Sequence, residues 1–151
     1  MKRLFSQCAA LAVGVAMVAA PGITRAAGEV LTVEAVAGQA SVDRLGVVTP
    51  LKIGDHLAER DVLRVGEGGS LAVDFSGHGF IELGPGAELG IEKLPFASYA
   101  DELKTIFSLR GGYLRVVWKL PPLAGEWPLF IYFGNQHATL SPGEYFFDTE
   151  P

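Results

Sequence analysis

Within the seven residues from Asp55 to Asp61, in the stretch PLKIGDHLAERDVL, the chain places two aspartates, a glutamate and a histidine. Carboxylates beside an imidazole are the groups that general acid–base catalysis uses, and the same types ligate metal ions. Against that chemistry stands the local context. Asp55 follows Gly54, and both Asp55 and Asp61 stand where turns begin, a position at which an aspartate accepts hydrogen bonds from nearby backbone amides. The structural reading is preferred, with His56 and Glu59 as solvated neighbours. A second cluster, Asp74, His78 and Glu82, flanks the turn Ser76–Gly79 and could face a cation across a hairpin. It lacks His-x-His or Asp-x-Asp-x-Asp spacing, so an exposed polar face around a tight turn is preferred there too. No metal and no cofactor is expected.

Other reactive groupings are weaker still. The one cysteine is Cys8, and the serines beyond residue 26 are Ser41, Ser70, Ser76, Ser98, Ser108 and Ser141, none of them in a Gly-x-Ser-x-Gly setting. Ser76 lies two residues from His78, but the two sit in a turn, where side chains usually project apart. The glycine-rich run Gly66 to Ser70 lacks the Gly-Lys-Ser/Thr ending of a phosphate cradle, and no helix pattern follows it. Glu88 and Glu92 emerge on one face of a strand pattern, without signs of the cleft that paired carboxylates need for glycoside cleavage. The expectation is a protein that is not an enzyme.

The N-terminus adds a location. Lys2 and Arg3 precede an apolar run from Leu11 to Ala20, followed by Pro21, Gly22 and small residues around Ala26. A basic start, an apolar stretch too short to span a bilayer and a small-residue site read as a cleavable secretory signal over residues 1–26. The expected mature chain, 27–151, is one periplasmic domain with no retained membrane span. Its nine Lys and Arg against seventeen Asp and Glu give a net charge of −8. An acidic surface argues against nucleic acid and anionic lipid as partners.

The elements that must carry these residues are strands. Leu71, Val73 and Phe75 alternate with Ala72 and Asp74; Ile81 and Leu83 flank Glu82; Leu89 and Ile91 flank Gly90. Spacing of two is the mark of a strand with one buried face. The pattern apolar-x-apolar-Gly recurs as LKIGD, LRVGE and IELGP, each a strand end whose glycine permits a positive φ. Short strands and frequent turns predict an all-β fold, a β-solenoid-like stack or a meander. Phe96 to Phe107 has weak helical periodicity, which leaves a short helix near 97–105 and a loop insertion both open. FSLRGGYLRVVW then reads as two strands about Gly111-Gly112, a hairpin being one way to join them.

Composition shifts near Leu94. Of the fourteen aromatics beyond residue 26, only Phe75 and Phe80 precede it. The runs Phe130 to Phe133 and Tyr145 to Phe147 are apolar on both strand faces, so one face must meet a covering layer or a partner. Trp118, Trp127, Phe130, Tyr132 and Tyr145 are the candidate partner-binding residues.

With these residues laid out, the chain resembles the periplasmic domain of the FecR family. The likeness runs through VAGQASVDR, PLKIGDHLAERDVLRVGEGGSLAVDFS and FIELGPGAELGIEKL, and more weakly through FSLRGGYLRV and ATLSPGEYFFD. Where the family has Asp-Gly-Ser at the tip of one turn, this chain has Gly77-His78-Gly79. The resemblance implies an all-β periplasmic module that acts by binding proteins. Family members in the inner membrane relay signals to a sigma factor through a cytoplasmic segment; none is read here, so a free-standing member is expected. Its partner would be another envelope protein, in signalling or assembly. The alternative is an envelope protein that binds a small ligand or a glycan.

Overall fold

The structure is a computed structural model and describes residues 31–94, 104–119 and 128–149. The expected leader, most of the segment 97–105 and Trp127 lie outside the described residues. Among the described residues there is no helix, and the all-β expectation holds. The strands are β1 (Leu31–Ala37), β2 (Ala40–Arg44), β3 (Val47–Pro50), β4 (His56–Leu57), β5 (Asp61–Val65), β6 (Ser70–Phe75), β7 (Gly79–Leu83), β8 (Glu88–Lys93), β9 (Thr105–Trp118), β10 (Leu129–Phe133), β11 (Gln136–Leu140) and β12 (Gly143–Thr149).

They form one curled, half-barrel sheet in the order β3-β2-β5-β8-β9-β7-β6-β1-β4, with β10, β11 and β12 joined to it through β9. Neighbours are antiparallel except β9 and β10. This is the pairing of hairpins and meanders, not the parallel rungs of a stacked coil. The chain shuttles between two wings. One holds β4, β1, β6, β7 and β12, the other β3, β2, β5, β8, β10 and β11, and β9 runs through both.

The alternation read from the sequence is the alternation of burial. Leu71, Val73, Phe75, Ile81, Leu83, Leu89 and Ile91 are all at most 2% exposed and meet inside the curl. Phe75 sits at the centre, edge-on to Trp118 at 5.3 Å and to Phe107 at 6.4 Å between ring centroids. Since Phe107 and Trp118 belong to the two halves of β9, this aromatic trio ties the wings together.

FSLRGGYLRVVW is one continuous strand rather than two. Its inward residues are Thr105, Phe107 and Leu109 before the glycine pair and Leu114, Val116 and Trp118 after it, so the phase slips by one residue in between. The slip accompanies an irregular register against β8 near Glu88 and Leu89. Gly112 absorbs it, with φ at +76° and so close an approach to β8's approach segment that a Cβ would lie 2.6 Å from the Ala87 Cα. The glycine pair therefore bends β9 from one wing to the other and does not reverse it.

Of the three repeated motifs, only Gly54 takes the positive φ expected of all. At the other two, the left-handed residue is Gly68 or Gly86, two positions further on, whereas Gly66 and Gly84 lie where the Gln39 and Tyr113 side chains pack closely. The turns are where the pattern places them; the residue that makes each corner is not.

Candidate functional site

The acidic cluster that opens the chemistry is a seam in the curl. Asp61, at the head of β5, is fully buried and accepts Nε of Arg44 at 2.8 Å, Nη2 of Arg44 at 2.6 Å and the Ala58 amide at 2.8 Å. Asp55 accepts the Lys52 amide at 2.8 Å. Both aspartates bond amides three residues before them, so they close turns rather than begin them. The forward geometry belongs to Asp43, which accepts the Gly46 amide, and Asp74, which accepts the Gly77 amide. Glu59 is not simply solvated: its Oε1 accepts the Leu94 amide at 2.9 Å. His56 is exposed beside Thr32, its Nδ1 lying 3.3 Å from the hydroxyl.

Arg44 also donates to the His56 carbonyl at 3.2 Å, which brings β2 to β4 across the mouth where the two ends of the sheet order face each other. Its hydrogen bond to Asp61 raises the Arg44 pKa, with burial opposing in part. The carboxylate is thus committed to a counter-ion and a backbone amide, which is structural work.

Asp74, His78 and Glu82 do not converge. Glu82 accepts Nη1 of Arg115 at 2.7 Å, and Asp74 caps its own turn. Among the described residues no group of three His, Cys, Asp or Glu side chains could hold a metal ion.

The aromatic candidates divide between core and surface. Trp118 is 3% exposed, its ring packed on Phe75 and its indole N–H without a partner, so it lies in the core and not on a contact face. Its position on the inward phase of β9 explains this, since Leu114 and Val116 share that phase. On β10, Leu129 and Ile131 fill the interior while Phe130 is half-buried and Tyr132 is exposed, stacked on His137 of β11 at 5.6 Å. Tyr145 is half-buried against the core, and its hydroxyl donates to the Ser141 carbonyl at 3.0 Å.

The residue that sequence reading passed over within Tyr145–Phe147 is Phe146, which is 61% exposed at the centre of β12. Opposite it on β9 stands Arg115. The guanidinium lies 5.3 Å from the Phe80 ring and 6.0 Å from the Phe146 ring, and it donates to Glu82 on one side and, at 2.6 Å, to Glu144 on the other. Those bonds, Glu82's first, raise the Arg115 pKa, so this cation is charged at any working pH. Tyr113 adds a tilted contact to Phe146 at 6.2 Å. The outer face over β7, β9 and β12 is therefore an ordered row of aromatic rings and ion pairs. The cue in the sequence was Glu144-x-Phe146-x-Asp148, an apolar residue alternating with acids in outward phase.

β12 is also an open edge. It pairs with β9 over seven consecutive residues, from Gly143 with Trp118 to Thr149 with Gly112, without a register shift, and no described strand lies along its other side. A second exposed apolar feature is the β2–β3 hairpin, where Leu45 and Gly46 both have positive φ in a two-residue turn and Leu45, Val47 and Val48 are solvent-facing. That edge is four residues long and ends in Pro50, which has no amide to donate. Comparison with family models, with curated proteins and with solved structures finds no match to this chain.

Proposed function

We propose that this chain is a non-enzymatic, periplasmic interaction module that takes an extended segment of another envelope protein alongside β12. The observation that carries the reading is the unbroken seven-residue edge of β12, with Phe146 exposed at its middle. A strand edge offers a row of unpaired backbone donors and acceptors, and proteins that do not use such an edge blunt it with proline, bulges or a covering element. Between Gly143 and Thr149, β12 has no proline and no bulge against β9, and no described strand lies along its other side. Strand addition supplies affinity through the main chain and specificity through alternate side chains.

The resemblance to the FecR family and the secretory leader read at residues 1–26 support a location in the envelope and a protein as the partner. The polar groups first suspected of chemistry support the same reading from the other direction, because Asp55, Asp61 and Asp74 are occupied in capping turns and closing the seam.

A photo-crosslinking residue at position 146, tested in cells, checks this. A discrete protein adduct at 146, absent when the same residue replaces exposed Glu34 on β1, a strand that pairs with both β4 and β6, is the expected result. Crosslinking at both positions alike, or at neither, would overturn it, as would a measured turnover in purified protein.

A further inference from the structure

We infer that β12 selects its partner by charge, taking an extended segment in which two basic residues flank an apolar one at alternate positions. The inference rests on the reading of β12 as a docking edge and adds the chemistry of the occupant. The outward row of β12 is Glu144, Phe146 and Asp148, while Tyr145 and Phe147 turn inward onto the core. A strand laid against that edge places every second side chain beside this row.

Among the described residues the charge of the row is only partly offset. Arg115 is shared between Glu82 and Glu144, so this face carries three carboxylates, Glu82, Glu144 and Asp148, to one guanidinium. Asp148 is exposed and forms no ion pair among the described residues. Lysine or arginine at two alternate positions of an incoming strand would lie beside Glu144 and Asp148, with an apolar side chain between them against Phe146. Because the row reads acid, aromatic, acid in both directions, it fits a basic–apolar–basic segment in either strand orientation.

The same row tells against a second copy as the occupant. Antiparallel self-pairing centred on Phe146 would set Glu144 directly opposite Asp148 of the other copy, twice over, and like charges in cross-strand register destabilise a sheet. The whole chain, at −5, adds repulsion of the same sign. The acids at the two flanks thus exclude self-association and define the partner together.

Two synthetic peptides test the assignment against the full mature chain: one with the pattern Lys-Thr-Phe-Thr-Lys and one with Glu-Thr-Phe-Thr-Glu, each in a common uncharged flank. The expected result is amide chemical-shift changes confined to residues 143–149 and binding of the basic peptide about tenfold tighter at low salt, the sum of two cross-strand charge pairs. The advantage should narrow at high salt and vanish in Glu144→Gln/Asp148→Asn with binding retained. Asp148→Asn alone, at an exposed side chain without an ion pair among the described residues, provides the same reading at half strength should the double variant fold poorly. Equal binding of both peptides at β12, or a preference untouched by the substitutions, overturns charge selection and leaves strand addition standing. Absence of any shift in β12 with either peptide overturns the docking edge itself, and concentration-dependent dimerisation abolished by Phe146→Lys assigns the edge to a second copy instead.

Discussion

The guanidinium of Arg44 meets the carboxylate of Asp61 through two hydrogen bonds, at 2.8 and 2.6 Å, with Asp61 wholly buried and Arg44 half-exposed. The pair joins β2 to β5, and the bond from Arg44 to the His56 carbonyl carries it on to β4. A single side chain thus spans the mouth of the curl, where strand pairing does not continue.

Removing one member of this pair leaves the other stranded. Arg44→Ala should lower stability by about 2–3 kcal/mol, somewhat below the loss for a fully buried pair because the open side of Arg44 admits water. Asp61→Asn should cost a similar amount, and Arg44→Ala/Asp61→Asn much less than the sum of the two. Urea unfolding of the four proteins measures this coupling, and additive losses would show that the pair is not a unit.

Gly112 and Gly68 both have positive φ, yet they should respond differently to alanine. At Gly68 a Cβ meets nothing within 4 Å, so only backbone strain is added, about 1 kcal/mol. At Gly112 the Cβ would also collide with the Ala87 backbone, which cannot move without breaking the bend in β9, and the loss should be about 2–4 kcal/mol. Thermal unfolding of Gly68→Ala and Gly112→Ala compares them directly. Equal losses would mean that the approach of Ala87 relaxes freely.

Trp118 and Tyr132 were equal candidates for partner contact by residue type. Their burial predicts opposite behaviour. Trp118→Ala opens a cavity among Phe75, Phe107 and Leu129 and should cost about 3–5 kcal/mol. Tyr132→Ala, at a side chain 44% exposed, should cost under about 1 kcal/mol. Denaturant midpoints decide this, and any loss of partner binding in Trp118→Ala must therefore be read as a loss of the fold.

Much of this is legible in the order of residues. Leu71, Val73 and Phe75, or Ile81 and Leu83, declare their buried face because side chains along a strand alternate by geometry alone, and Asp55 and Asp61 mark turns because the amides they bond lie three residues away, although on the preceding rather than the following side. What concerns partners distant in sequence is not. The burial of Asp61 depends on Arg44, seventeen residues earlier, and the exposure of Phe146 between half-buried neighbours depends on which strands lie beside β12, of which β9 is the one described.

By itself, then, the order of residues determined that this chain forms short strands with one apolar face, divided by aspartate and glycine corners, since those preferences act over a few bonds. Only the tertiary structure decided that Gly111-Gly112 bends a single strand, that Trp118 faces inward, and that the seam is closed by Arg44 while no described strand lies along the far side of β12. Each of these outcomes depends on which backbone lies across the sheet from a residue, and hydrophobic alternation leaves that pairing undetermined.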